Sequence, residues 1–592
     1  MKERQRRVDH IRRHSSNIQN HLIDEYSAGK ISRREFIRRG TLLGASLPLM
    51  SFLASACGSG DTATTTSAAG ATTTAAGATT AATTGTTAAT ATTAAAGLVT
   101  VRVGLSPVPA VGIDPVLIND EAGLSLLGQT AQYLTFSDSE LNLVPVLAES
   151  WEPNDTLDVW TFKLRSGVMF NDGTPVTAED VVATFNGPIG EGNAGSAYET
   201  FGAVPGSVAE VVDESTVRFN LSRPNGAFPF FTSSDNYNAV ILPASFWETY
   251  DAGSYEQSFI GTGPWINESY EVGVSAAYVK NENYWGNNAN QPDRMEVSFF
   301  ADEAAMVTAF QDERLDVLYR VSFTNAETLQ ASGALTQSVP TSQHRQLYMD
   351  TSTPPFNDKR VRQAMALMLD RPLLVEGLLG GFGTVGNDHP IWQFYPMFNA
   401  DAVPQREANL AEAQSLLEAA GLGDGFTARL DTLQFAEVQD LALLIQQSAA
   451  QLNVTLELNV HDASTYYQDY WCAFPYEGPC QPGAVGSMGM VNYGHRGVPN
   501  VYLGAPLLSD GQWNASHWVG EGYDQLFADF AAAPDLDLQR EIAGQIEALL
   551  WDEVPFIVPY FTDFISVTVP NFQGLTVTGM GHFDLTNAGF TG

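Results

Sequence analysis

Alternation between apolar and polar positions recurs along the C-terminal five-sixths of the chain. Val99–Leu105 (VTVRVGL) and Val159–Leu164 (VWTFKL) change face at every residue, as half-buried strands do. The second runs into Phe170-Asn171-Asp172-Gly173-Thr174-Pro175, a turn by its composition. Thr177 then predicts a helix start, with Asp180 three residues on, where a capping box places an acid. Helical spacing marks Asp302–Gln311, Val361–Leu369, Ala408–Ala420 (stopped by Gly421) and Val438–Leu452. Ala239–Leu242 reads as a short strand-like run. Strands and helices alternate throughout, so the fold class is α/β rather than a bundle or sandwich. From Leu98 to Gly592 there are 495 residues, more than one core usually supports, and at least two lobes are expected.

The N-terminus differs. Arg33 and Arg34 precede the uncharged run Thr41–Ala56, which is too short for a membrane span of roughly 20 residues and reads as the apolar core of a signal peptide. The stretch Ser32–Arg38 resembles a twin-arginine export signal, and Leu53-Ala54-Ser55-Ala56-Cys57 resembles a lipobox with its leucine one place early. Residues 1–57 are therefore expected to direct export and to leave Cys57 as a lipid anchor. An ordinary signal peptide cut near Ala56 is the alternative. Residues 58–97, almost only Thr, Ala and Gly, have little to bury and form a tether with a reach on the order of 30–40 Å. A cell-wall spacer would have the same composition.

Charge narrows the partners. The chain carries 29 basic and 67 acidic residues, and the part beyond the signal is the more acidic, with Lys163, Lys280 and Lys359 its only lysines. Such a surface repels phosphate backbones, which argues against nucleic acid. Cys472 and Cys480, spaced C-x7-C, suit a disulfide in an exported loop; free thiols or a metal site are the other readings, and two thiols alone offer few metal ligands. No H-E-x-x-H, G-x-S-x-G or G-x-x-x-x-G-K-[ST] occurs. Gly381–Gly386 fits G-x-G-x-x-G, but a helical segment (Arg371–Leu379) precedes it and prolines follow, so it reads as a loop. The neighbouring pairs Asp302/Glu303 and Asp552/Glu553 are expected to diverge into solvent. No catalytic set, metal or cofactor site stands out.

Several segments taken together resemble one family. They are Leu147–Glu152, Trp160–Val182, Gly261–Trp265 with Asn281–Gly286, Pro355–Ala364 with Asp370-Arg371, and the helix-and-glycine Ala408–Leu422. Their residues and order are similar to the dipeptide/oligopeptide/nickel class (family 5) of extracellular solute-binding proteins that serve ABC transporters. The resemblance implies a two-lobed, periplasmic-binding-protein-like fold of type II in its large, three-subdomain form. It implies lobe I from 98–345 plus 545–592, with a subdomain at 133–231, and lobe II from 346–544. It also implies a monomer without cofactor that hands a small hydrophilic solute to permease and ATPase subunits. Rival readings are an exported hydrolase on the same fold, or a ligand sensor for a membrane receptor.

In peptide-binding members an aromatic motif ending in an Asp holds the ligand's amino group. By order, the matching stretch here is Met488–Asn500, with Tyr493 at the aromatic and His495 and Arg496 near the acid's place. Trp471-Cys472-Ala473 is a competing placement, also without the acid. Arginine favours carboxylate, phosphate or sugar hydroxyls over an ammonium. The expected cargo therefore shifts from peptide N-termini toward oligosaccharides or anionic solutes. Tyr348, Trp392, Tyr395, Asn236 and Tyr237 are further ligand-contact candidates; a solvent-facing loop for His495 and Arg496, and core packing for the aromatics, are the plainer alternatives.

Overall fold

The computed structural model describes residues 98–591, apart from 110, 111, 119, 192, 193, 463, 464 and 472–486. Arg33, Arg34, Cys57, the tether, Cys472 and Cys480 lie outside the described residues.

Capping groups set the helix starts. The Asp180 carboxylate accepts the Thr177 N–H at 2.7 Å and opens helix Ala178–Phe185. Asp302 and Asn409 cap Glu303–Gln311 and Leu410–Ala419 by accepting N–H groups three residues on. Gly421 stands just past the latter at φ +79°, the left-handed conformation that glycine adopts without steric cost. Lys359–Leu367 and Val438–Ala450 occupy the other two expected helical stretches.

A four-stranded antiparallel sheet is built from Ala148–Pro153, Val159–Leu164, Thr216–Asn220 and Ala209–Asp213, in that spatial order. Along Val159–Leu164, Trp160, Phe162 and Leu164 are buried. Phe162 meets Phe219 edge-on at 5.2 Å, and Phe219 meets Phe185 of the capped helix at 5.1 Å. Each such ring contributes about 1.5–3 kcal/mol by leaving water. That aromatic core fixes helix Phe228–Phe231, and with it the loop that follows.

The large mixed sheet runs in the order Thr455–His461, Thr427–Leu433, Ser487–Tyr493, Leu335–Met349, Tyr560–Thr568, Val317–Leu318, Thr100–Leu105, Arg294–Phe299, Ser275–Lys280, Trp265–Glu271. Leu335–Met349 is the pivotal member. Its first half pairs with Tyr560–Thr568, and from His344 to Met349 it pairs with Ser487–Tyr493. The register slips between Pro340 and His344, where proline cannot donate to the ladder.

Three local expectations need correction. Gly383–Val385 is a short strand on Thr562–Tyr560, not loop. Ala239–Leu242 is buried but forms no strand; the Ile241 N–H goes to the Gln132 carbonyl instead of a ladder. Asp552 and Glu553 do not diverge, because Lys359 holds both, at 2.7 and 3.3 Å, although Asp552 stays exposed to solvent as expected.

Candidate functional site: a cavity with an arginine and a buried aspartate

Two loops meet across a small cavity of about 30 Å³ that is partly open to solvent. One loop, Asp235–Asn238, follows helix Phe228–Phe231; the other, Arg496–Val498, follows strand Ser487–Tyr493. Ala194, Ala197, Phe201, Phe230 and Val501 supply apolar walls.

Arg496 is positioned through its backbone. Its N–H donates to Ser342 Oγ (2.9 Å), and its carbonyl accepts from the Ser342 hydroxyl (2.9 Å) and from the Tyr395 hydroxyl (2.7 Å). Ser342 lies in the slipped register of the pivotal strand, so the loop is tied to the point where that strand changes partners. The guanidinium sits over the Tyr237 ring, 5.4 Å from its centroid. Nη1 donates to the His495 carbonyl at 2.8 Å and lies 3.8 Å from Met580 Sδ. Burial works against the charge, but Tyr502, Tyr237 and Asp235 outweigh it and raise the Arg496 pKa.

Asp235 faces this cation. The side chain is 7% exposed, and neither carboxylate oxygen has a well-formed hydrogen bond among the described residues. Burial pushes its pKa up to about 7, while Arg496, the Gly497 N–H and Ser137 draw it partly back. No ion pair closes between Asp235 and Arg496 among the described residues, although both line the cavity. The turn is held by the Asp235 N–H on Ser233 Oγ (3.1 Å) and the Ser137 N–H on Ser234 Oγ (2.9 Å).

The other expected residues divide by position. Asn236 and Tyr237 line the cavity, but the Asn236 amide is committed to the Phe231 carbonyl at 3.0 Å. His495 is buried rather than solvent-facing. Its Nδ1 accepts the Ser342 N–H (3.0 Å), and burial with the Arg496 charge lowers its pKa to about 3, which keeps it neutral. Trp392 packs edge-on to His495 at 6.1 Å, and Tyr395 buttresses Arg496. Tyr493 packs among His344, Tyr502 and Trp513, and Tyr348 covers Gly489 on the next strand; neither is a cavity-lining residue.

Asp235 and Tyr502 escaped sequence reasoning. Tyr502 is buried with no hydrogen-bond partner for its hydroxyl among the described residues, and burial raises its pKa while Arg496 draws it partly back. The signal for Asp235 was an acid inside the polar run Thr232–Asn236, set between the apolar stretches Phe228–Phe231 and Ala239–Leu242. Among the described residues no His, Cys, Asp and Glu cluster could hold a metal, and no helix is long and apolar enough to cross a membrane.

The family described as "Bacterial extracellular solute-binding proteins, family 5 Middle" matches residues 142–476. The chain is 24% identical over 479 residues to the glutathione-binding protein GsiB of Escherichia coli (strain K12), spanning 78% of this chain and 90% of GsiB. Its fold resembles that of the ABC transporter substrate binding protein CtaP from Listeria monocytogenes, with TM-score 0.71, 21% identity, and 83% and 99% of the two chains covered. It also resembles the Escherichia coli murein tripeptide binding protein MppA, with TM-score 0.70, 19% identity, and 84% and 99% coverage. The α/β, two-lobed type II architecture is the one these structures share.

Proposed function

Because the chain belongs to the family-5 bacterial extracellular solute-binding proteins, whose members bind cargo outside the cytoplasm for ABC importers, we propose that it captures a small hydrophilic solute in the Asp235–Arg496 cavity. The captured solute is delivered to a permease with its ATPase. One observation carries this reading: a positioned guanidinium and a buried carboxylate that makes no well-formed hydrogen bond among the described residues line one cavity without closing an ion pair with each other. Leaving opposite charges unpaired in a buried site is costly, and a ligand that satisfies both relieves that cost. GsiB and MppA are named for glutathione and a murein tripeptide, which supports cargo of peptide type with a carboxylate for Arg496.

In the same reading the lobes meet where the pivotal strand changes partners near Ser342. Lobe I comprises 98–345 and 545–592, and lobe II 346–544. The four-stranded sheet forms the core of the subdomain at 133–231. The protein leaves the cell through its twin-arginine signal, is held by lipidated Cys57 on the 58–97 tether, and closes Cys472–Cys480 as a disulfide. It binds its solute without transforming it.

Tryptophan fluorescence of the purified protein, titrated with short peptides and followed for product by mass spectrometry, tests this. Saturable quenching with the solute recovered intact is expected. Conversion of the solute to product would overturn the reading.

A further inference from the structure

We propose that Glu547 is a proton-operated latch on the segment that supports Arg496. While its carboxyl is neutral, residues 392–406 lie closed on helix Leu536–Glu553; loss of the proton releases them, and with them the loop they hold. The latch concerns control of the site rather than its cargo, so it stands or falls independently of which solute binds.

The seat of that segment is the first ground. Arg540, Gly544, Glu547 and Trp551 are spaced four, three and four apart, which puts them on one face of the helix. All four meet residues 392–406. Arg540 Nη2 donates to the Pro396 carbonyl at 2.7 Å, the Glu547 carboxyl accepts the Asn399 N–H at 3.1 Å, and Arg406 donates to the Trp551 carbonyl. Gly544 permits the close approach, since a Cβ there would lie 2.5 Å from Asn399 Nδ2. At its other end the segment reaches the cavity, where the Tyr395 hydroxyl donates to the Arg496 carbonyl at 2.7 Å.

The second ground is the imbalance at Glu547 itself. The side chain is fully buried, and Oε2 has no hydrogen-bond partner among the described residues. A neutral carboxyl is tolerated in such a place; a carboxylate held by one N–H is not. Burial accordingly pushes its pKa up to about 8, with the Asn399 N–H drawing it partly back. Surrounding charges are committed elsewhere. Arg540 and Arg406 serve carbonyls and Asp388, and Lys359 and Arg362 of the neighbouring helix hold Asp552 and Glu553. His389, beside Phe398, is kept neutral by burial, while Asp401, Asp524, Asp529 and Glu541 face solvent. An ionised Glu547 is therefore relieved by water, which enters when the segment lifts from Gly544. An acid whose folded pKa lies above its ordinary value opposes closure increasingly as pH rises between the two, here from 4.5 to about 8.

Hydrogen-exchange mass spectrometry of the full chain, without added ligand and corrected for the intrinsic pH dependence of exchange, tests the latch. Between about pH 5.5 and about pH 8.5, protection of residues 392–406 and of the Arg496 amide is expected to fall roughly tenfold or more. Glu547→Gln, isosteric and unable to ionise, is expected to keep both at their acid-side protection throughout. Tyr395→Phe, which cuts the link and leaves Glu547 alone, is expected to keep the fall across 392–406 and to make Arg496 insensitive to pH. A wild-type profile without the fall overturns the latch whether or not the variants fold. An equal fall in Glu547→Gln overturns it too, as does a fall at Arg496 that persists unchanged in Tyr395→Phe.

Discussion

Two buried arginine–aspartate groupings in this molecule use the same side chains for opposite ends. Around Asp388 the carboxylate is saturated: Arg371 donates to both oxygens at 2.6 and 2.8 Å, and Arg406 donates from Nε at 2.7 Å. Arg406 also lies 4.1 Å from the centroid of the Trp551 ring. Asp388 and Arg371 are fully buried, and both Asp388 oxygens are taken, with only Arg371 Nε lacking a partner among the described residues. At Asp235 and Arg496 the pairing is withheld, and a cavity lies between. The saturated cluster locks helix Arg371–Leu379 onto the segment around Asp388. The unsaturated one stays poised. Burial alone therefore does not separate a structural charge from a binding charge; the completeness of its partners does.

The sharpest way to break this contrast is Asp388→Ala. Removing one member of a buried ionic cluster strands two guanidinium groups, and a loss of about 3–5 kcal/mol is expected in urea denaturation. Asp235→Asn is expected to act in the other direction. The Asp235 pKa, raised by burial to about 7 from 3.8, means that the folded empty protein resists its ionisation. Stability is then full below about pH 4, falls as pH rises toward 7, and levels off above it. Asn removes that loss, so at pH 8 the variant is expected to gain up to about 4 kcal/mol. The gain is expected to vanish at pH 4, as read by thermal melts without ligand. A loss of stability in Asp235→Asn at pH 8 would place Asp235 with the saturated class.

Arg496→Ala is expected to weaken solute binding by ~1.5–3 kcal/mol, the value of a charged hydrogen bond. Its melting transition is expected to move little, because the loop is held by backbone contacts to Ser342 and Tyr395. The smallest effect belongs to Lys359, which is 40% exposed beside Asp552 and Glu553. Lys359→Ala is expected to cost about 0–1 kcal/mol in denaturation, and less at high salt.

Local signals were readable in the chain. Alternation located Val159–Leu164 to the residue, and Thr177 with Asp180 located a helix start, because strand pleat and capping depend on near neighbours. Gly383–Val385 was opaque, since its strand exists only through Tyr560–Thr562, far along the sequence. Ala239–Leu242 had a strand's composition, but its donors serve loop carbonyls. Arg496 was legible as an arginine near the place of a missing acid. Its counterpart was not, because Asp235 acquires meaning only when folding brings helix Phe228–Phe231 opposite the loop after Tyr493. His495 looked like a ligand contact by adjacency, yet its ring turns inward to the Ser342 N–H.

Native mass spectrometry of the protein as purified, beside Arg496→Ala prepared identically, tests the central claim most directly. A noncovalent small-molecule adduct is expected on the wild-type chain and is expected to be absent or much reduced on the variant. An adduct held at equal occupancy by both proteins would contradict a binding site built on Arg496.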